Sequence, residues 1–161
     1  MFKINIFIDT DIKGFKRQTA WYVSKVEFIK KDGSPERRST CSQITGTRDY
    51  IVLVALLESL KILNKQCDIT VSVDNCISAN LRRYIQQKTY MQWKLNGWLT
   101  VRNEPVANKE EWQQLEELLS KYNHKITFAY NEKNENHKEN VKELTIKKGE
   151  NELWQQQKLL Q

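Results

Sequence analysis

Apolar and polar positions alternate at the start of the chain, and the alternation returns near its middle. Ile4, Ile6 and Ile8 recur with the period of two that predicts a strand. Phe7 fills the opposite face, so this strand is expected to be buried on both sides before it runs out into Asp9, Thr10 and Asp11. Residues 20–29, rich in aromatic and β-branched side chains, predict a second strand, and 37–44 a third. Between them Lys31-Asp32-Gly33-Ser34-Pro35 is a hairpin signal, because Asp-Gly supplies the positive φ of a tight turn. An antiparallel meander is therefore expected in the opening third.

Residues 51–63 change the pattern. They are apolar nearly all round and too long for an ordinary strand, which predicts a helix buried on most sides, with Thr47 or Asp49 as its N-cap. Residues 68–74 alternate again and end in Asp74. Strand, helix and strand in one sheet close right-handed with the strands parallel. Asp9 and Asp74 are thus expected at the same C-terminal edge of neighbouring strands, where open α/β sheets place ligands. Asp11 reads as a turn or edge residue. Residues 78–99 are helical in character until Gly97 breaks them, and 100–107 form a loop containing Pro105. Asn108-Lys109-Glu110-Glu111 resembles a capping box. Trp112, Leu115, Leu118, Leu119 and Tyr122 then follow at helical spacing, with Trp112 as core. A last strand is expected at 125–130, a polar loop at 131–137, and a helix at 138–147 that Gly149 stops. Leu153, Trp154, Leu159 and Leu160 mark a further amphipathic helix or tail at 150–161.

Composition narrows the class. A chain of 161 residues suits one core, here divided into a domain at 1–147 and a helical extension at 148–161. No apolar run is long enough to span a membrane, and no signal-peptide pattern opens the chain, so a cytoplasmic, monomeric protein is expected. Cys41, Cys67 and Cys76 are odd in number and lack C-x-x-C spacing, which reads as reduced thiols. The net charge of +6 leans toward nucleic acid. Arg82, Arg83, Lys88 and Lys94 are interleaved with Trp93 and Trp98, an arrangement that can hold phosphates and sugars of a strand. A solvated helix face over buried aromatics is the competing account. Thr47 and Arg48 could meet a phosphate at a helix start, or simply cap it. His124 and His137 read as surface residues.

Several stretches together resemble a known family. Ile6-Phe7-Ile8-Asp9 is similar to the first strand and first acid of type 1 (bacterial) ribonuclease H. Thr47-Arg48-Asp49-Tyr50-Ile51 is similar to its T-N-N-R-M start of a Leu/Ala-rich helix, and Ser72-Val73-Asp74-Asn75 to its S-T-D-S. The most specific match is Gly97-Trp98-Leu99-Thr100, then Pro105-Val106-Ala107-Asn108 and Trp112-Gln113, against G-W-K-T and P-V-K-N…W-Q. The resemblance covers about residues 5–144. It implies an α/β ribonuclease H-like fold: a five-stranded mixed sheet, three antiparallel strands then parallel ones, flanked by helices. It also implies hydrolysis of the RNA strand of an RNA–DNA hybrid by two Mg²⁺ ions on an Asp-Glu-Asp-Asp set. Thr47, Arg48, Asn75, Arg82, Arg83, Lys88, Trp93, Lys94, Trp98 and Thr100 would lie along the hybrid.

The departures sit where that chemistry would be. Asp9 and Asp74 match the first and third acids and would be the ligands of any metal bound. Val52 stands at the glutamate, and Lys142 at the fourth acid. Glu132 falls near the family's mobile-loop histidine, with His137 an outside candidate for that role. The glycine-rich turn after the first strand is reduced to Gly14. Two dications about 3.5–4 Å apart need several carboxylates to neutralise them, and two aspartates with a lysine fall short. Lys142 is expected instead to lie between the aspartates and stabilise their charge. Three functions follow. The first is a hybrid- or duplex-binding protein with hydrolysis lost or strongly weakened, possessing no metal. The second is an active Mg²⁺- or Mn²⁺-dependent ribonuclease H in which Asp49, Glu139 or Glu143 supplies the missing acids. The third is a protein-interaction module, with a partner docked on the C-terminal helix.

Overall fold

The computed structural model describes residues 1–73, 78–129 and 134–160. Strands β1 (Phe2–Thr10), β2 (Gln18–Ile29) and β3 (Pro35–Gly46) form the expected meander, turned at Gly33 with φ 86°. Strand β4 (Cys67–Val73) pairs parallel with β1, and β5 (Lys125–Ala129) parallel with β4. The result is one five-stranded mixed sheet in the order β3-β2-β1-β4-β5. Its register sets Ile8 opposite Val73, so Asp9 leaves β1 where β4 also ends. Asp74 and Asn75 themselves lie outside the described residues, as does Glu132.

The period of two divides β1 between two environments. Ile4, Ile6 and Ile8 join an apolar core with Ile51, Leu53 and Leu56 of α1 (Arg48–Leu60). Trp112, Leu115 and Leu119 of α4 (Lys109–Lys121) close that core, and Trp112 is 3% exposed. Helix α1 is buried on most sides, and the Thr47 side chain caps it by accepting from the Tyr50 amide. The other face of β1 carries Asn5, Phe7 and Asp9, and α5 (Glu135–Leu159) lies over it and β2.

Two expectations about helices are corrected. Residues 78–99 are interrupted at Lys88, which takes a left-handed φ of 54°, giving α2 (Ala79–Gln86) and α3 (Thr89–Leu95), and Gly97 only follows the end of α3. Gly149 does not stop a helix: α5 runs unbroken from Glu135 to Leu159. A glycine terminates a helix by adopting positive φ after its last turn, and Gly149 does not, so it merely weakens the helix locally. Helix α5 also starts earlier than expected, because the Asn134 side chain caps it by accepting from the Asn136 amide. Its far half is not packed on the sheet. Leu153 and Trp154 are 60% and 53% exposed. Among the described residues no helix is long and apolar enough to cross a membrane.

Candidate functional site

Asp9 is 4% exposed, and its partners come from α5. One carboxylate oxygen, Oδ2, accepts from His137 Nδ1 at 2.7 Å and from Asn140 Nδ2 at 2.8 Å. A carboxylate can only accept, so the His137 proton sits on Nδ1, and in the neutral ring Nε2 accepts from the Ser72 hydroxyl, 2.7 Å away on β4. Asn140 also donates to the Phe7 carbonyl at 3.2 Å, and the Phe7 ring meets the imidazole edge-on. His137 and Asn140 are three residues apart on a helix and therefore share a face. The expectation that His137 lies at the surface is corrected: it is 4% exposed and hydrogen-bonded at both ring nitrogens. His124 is half-buried, and its Nδ1 accepts from the Cys67 amide. Asp11 is an edge residue, its Oδ1 accepting from the Trp21 amide at 2.8 Å.

Lys142 does not lie beside Asp9. It is exposed, two residues from Asn140 and so about 200° around the helix from it. Asn140 holds the place against Asp9. Glu139 is engaged elsewhere: it pairs at 2.7 Å with Lys25, which is 5% exposed on β2, and this ammonium holds the Glu139 carboxyl below the usual range. Burial pushes Glu27 up, but hydrogen bonds from Arg37, Asn136 and Asn5, with the charge of Arg37, outweigh it and leave it lowered. These contacts moor the first turns of α5 on β1 and β2. Glu143 is half-buried near Cys41 on β3. Val52 is 2% exposed within the apolar core. Asp49, in the first turn of α1, keeps one buried oxygen with no hydrogen-bond partner among the described residues. Among those residues no group of three His, Cys, Asp or Glu side chains could hold a metal ion. A pair of dications needs converging carboxylates, and Asp74, the acid expected beside Asp9, lies outside the described residues.

A second feature lies at the start of α1. Arg17, Thr45, Gly46, Thr47, Tyr50 and Asn108 line a recess of about 230 Å³. A helix N-terminus offers amides and a positive dipole end to an anion, and here an arginine, two threonines and an asparagine surround it. Gly46 is required: a Cβ there would run into the Tyr50 ring. Arg48 donates to the Gly14 carbonyl at 3.2 Å and lies over the Phe15 ring. Arg17 falls in the short basic loop after β1, and Asn108 was expected only to open a helix. The one signal was Asn108 inside the P-V-x-N match, and its left-handed φ of 59° turns the chain into α4 here.

The basic segment divides by residue type. Trp93 packs against Tyr84 and Trp112, with ring centroids 5.0 and 5.3 Å apart, and half-buried Trp98 packs on the same core. Arg83, Lys88 and Lys94 remain exposed, while Arg82 is half-buried. Arg83 bonds Asn80, and Lys94 reaches the buried Glu116 at 2.9 Å. Thr100 spends its hydroxyl on the amides of Arg102 and Glu104, bracing its loop.

Comparison with known proteins gives a consistent picture. The family model described as RNase H matches residues 6–157. A protein named Ribonuclease H from Hydrogenovibrio crunogenus is 29% identical over 140 residues, covering 87% of this chain and 89% of that one. Among solved structures, LC9-RNase H1, a type 1 RNase H with the type 2 active-site motif, superposes with a TM-score of 0.63 at 13% identity. The match covers 82% of this chain and 64% of that one. The PFV RNase H domain gives 0.56 at 18% identity and 89% coverage of both chains. At such identities these two structures speak for the fold.

Proposed function

Because the chain belongs to the ribonuclease H family, we propose that it binds RNA–DNA hybrids or related duplexes and that its hydrolysis of the RNA strand is lost or strongly weakened. The recess at the start of α1 carries the binding half. It brings Arg17, Thr47 and Asn108 from three separate parts of the chain around one polar recess. A backbone phosphate seated there would fix the register of a strand, and the exposed Arg83, Lys88 and Lys94 would add sequence-independent attraction along it. The Asp9 contacts support the second half. Its Oδ2 is committed to His137 and Asn140, and Val52 replaces a carboxylate with a buried apolar side chain.

One observation favours a second reading, a working divalent-metal-dependent ribonuclease H. The relative from Hydrogenovibrio crunogenus bears that name and aligns over most of both chains, and members of the family are generally metal-dependent. Of the acids that could complete such a set, Asp49, Glu139 and Glu143, Asp49 keeps a buried Oδ1 without a partner among the described residues.

Incubation of the purified protein with labelled hybrid separates the two readings. The first expects a salt-sensitive complex and little or no cleavage in Mg²⁺ or Mn²⁺. Cleavage that Asp9→Asn abolishes would establish the second. Absence of any complex at low ionic strength, where phosphate contacts are strongest, would reject both.

A further inference from the structure

Four polar side chains from three elements meet beneath the first turns of α5. Asp9, Ser72, His137 and Asn140 are 4%, 6%, 4% and 0% exposed. Asn140 donates to Asp9 Oδ2, and with that carboxylate ionised and the ring neutral the His137 Nδ1–H donates to the same oxygen while Nε2 accepts from the Ser72 hydroxyl. A buried carboxylate is costly unless its charge is met by a partner or an ion. In a metal-dependent acid cluster the ion supplies that compensation, and the empty cluster is held together against charge repulsion. Here two protein donors converge on a single oxygen and supply it without an ion.

We infer that Ser72, His137 and Asn140 form with Asp9 a metal-independent clasp, which locks the start of α5 to the ends of β1 and β4 and commits Asp9 Oδ2 to protein donors in place of a divalent cation. The inference deepens the reading of a weakened metal site and does not depend on hybrid binding. A serine, a histidine and an aspartate in this order also occur in acyl-transfer enzymes. In this protein the Ser72 hydroxyl is buried against α5 and engaged by the ring, which makes it part of the clasp.

The two kinds of site respond oppositely to loss of the acid. In a clasp, Asp9→Ala strands the buried His137 N–H and leaves Asn140 only its bond to the Phe7 carbonyl, and Tm in EDTA should fall by roughly 5 °C or more. In a metal cluster the same change relieves repulsion, so an unchanged or raised Tm in EDTA would overturn the clasp. Wild-type protein supplies the second arm. Its Tm should be the same in EDTA and in millimolar Mn²⁺, and the His137 ring N–H resonance should stay sharp as Mn²⁺ is added. Paramagnetic broadening of that resonance, or a Mn²⁺-dependent rise in Tm, would also overturn it. Should Asp9→Ala fail to fold, Asn140→Ala removes one donor only and should lower Tm by a smaller amount. Hybrid cleavage is scored separately, so a wild type that cuts hybrid rejects the weakened-hydrolysis reading, while an Asp9→Ala protein of unchanged Tm rejects the clasp alone.

Discussion

Asn140 and Val52 decide what the acidic edge can become. Val52 is packed at 2% exposure among leucines and isoleucines, so Val52→Glu buries a carboxylate with no partner. That change should cost about 3 kcal/mol, read as a lower urea midpoint at neutral pH. It should not restore cleavage by itself, because Asp9 stays bound to its two donors. Adding Asn140→Asp, rather than Lys142→Asp, is expected to open the edge to a divalent ion and to return part of the stability in Mn²⁺, since Asn140 is the side chain that faces Asp9. Cys41 offers a test by pH. Burial, reinforced by the Glu143 carboxylate, pushes its thiol from 9.0 up to about 11. The folded state thus favours the neutral thiol. Its contribution is fully present below pH 9 and is lost as pH rises toward 11. Stability should fall across that window in the wild type and fall less in Cys41→Ala. Both positions show the limit of reading residues singly. Val52 was identifiable in the sequence as a missing acid, whereas Asn140 had no motif to mark it and became visible only through the face that α5 turns to the sheet.

At the scale of elements, α5 is the one the sequence described least well. Three features controlled it: the Asn134 cap, the run through Gly149, and the mooring of Asn136, His137, Glu139 and Asn140 on a polar sheet face. Residues 134–137 read as the end of a polar loop, and the helix was expected only from 138, because no apolar period marks its first turn. Their periodicity is real, but it is written in asparagine, histidine and glutamate, which fit a face carrying Asn5, Asp9, Lys25 and Glu27. The mooring predicts an acid response. Glu27 and Glu139 titrate below 4.5 in the folded protein. Their support is present above that value and lost as pH falls through their lowered range. Hydrogen exchange should therefore show the first turns of α5 opening below about pH 4.5 before the β1–β4 core does, and Lys25→Met should remove much of that pH dependence. Strands β1 to β4 and helix α1 were, by contrast, legible in advance, since an apolar alternation and an all-round apolar run leave few alternatives.

For the whole molecule, charge and shape act together. A net charge of +6 favours any polyanion, but the recess at α1 gives that attraction one fixed point. Arg17→Ala should weaken hybrid binding about equally for all sequences and reduce the slope of log affinity against log salt by about 1. Gly46→Ala should weaken binding without changing net charge, by driving Tyr50 into the recess. A salt titration of both variants checks this. By itself the sequence determined the sheet, the buried helix and the meeting of two strand ends at one edge, because burial of apolar surface repeats with a period that can be read along a chain. The resemblance also led to the expectation that Val52 and Lys142 stand where two of the family's four acids would be. Only the tertiary structure decided what replaced them. The His137 and Asn140 donors at Asp9, and the gathering of Arg17, Thr47 and Asn108 at one helix start, join residues far apart in sequence. Hydrogen bonds of that kind depend on direction and distance in space, and they leave no periodic trace in the order of residues.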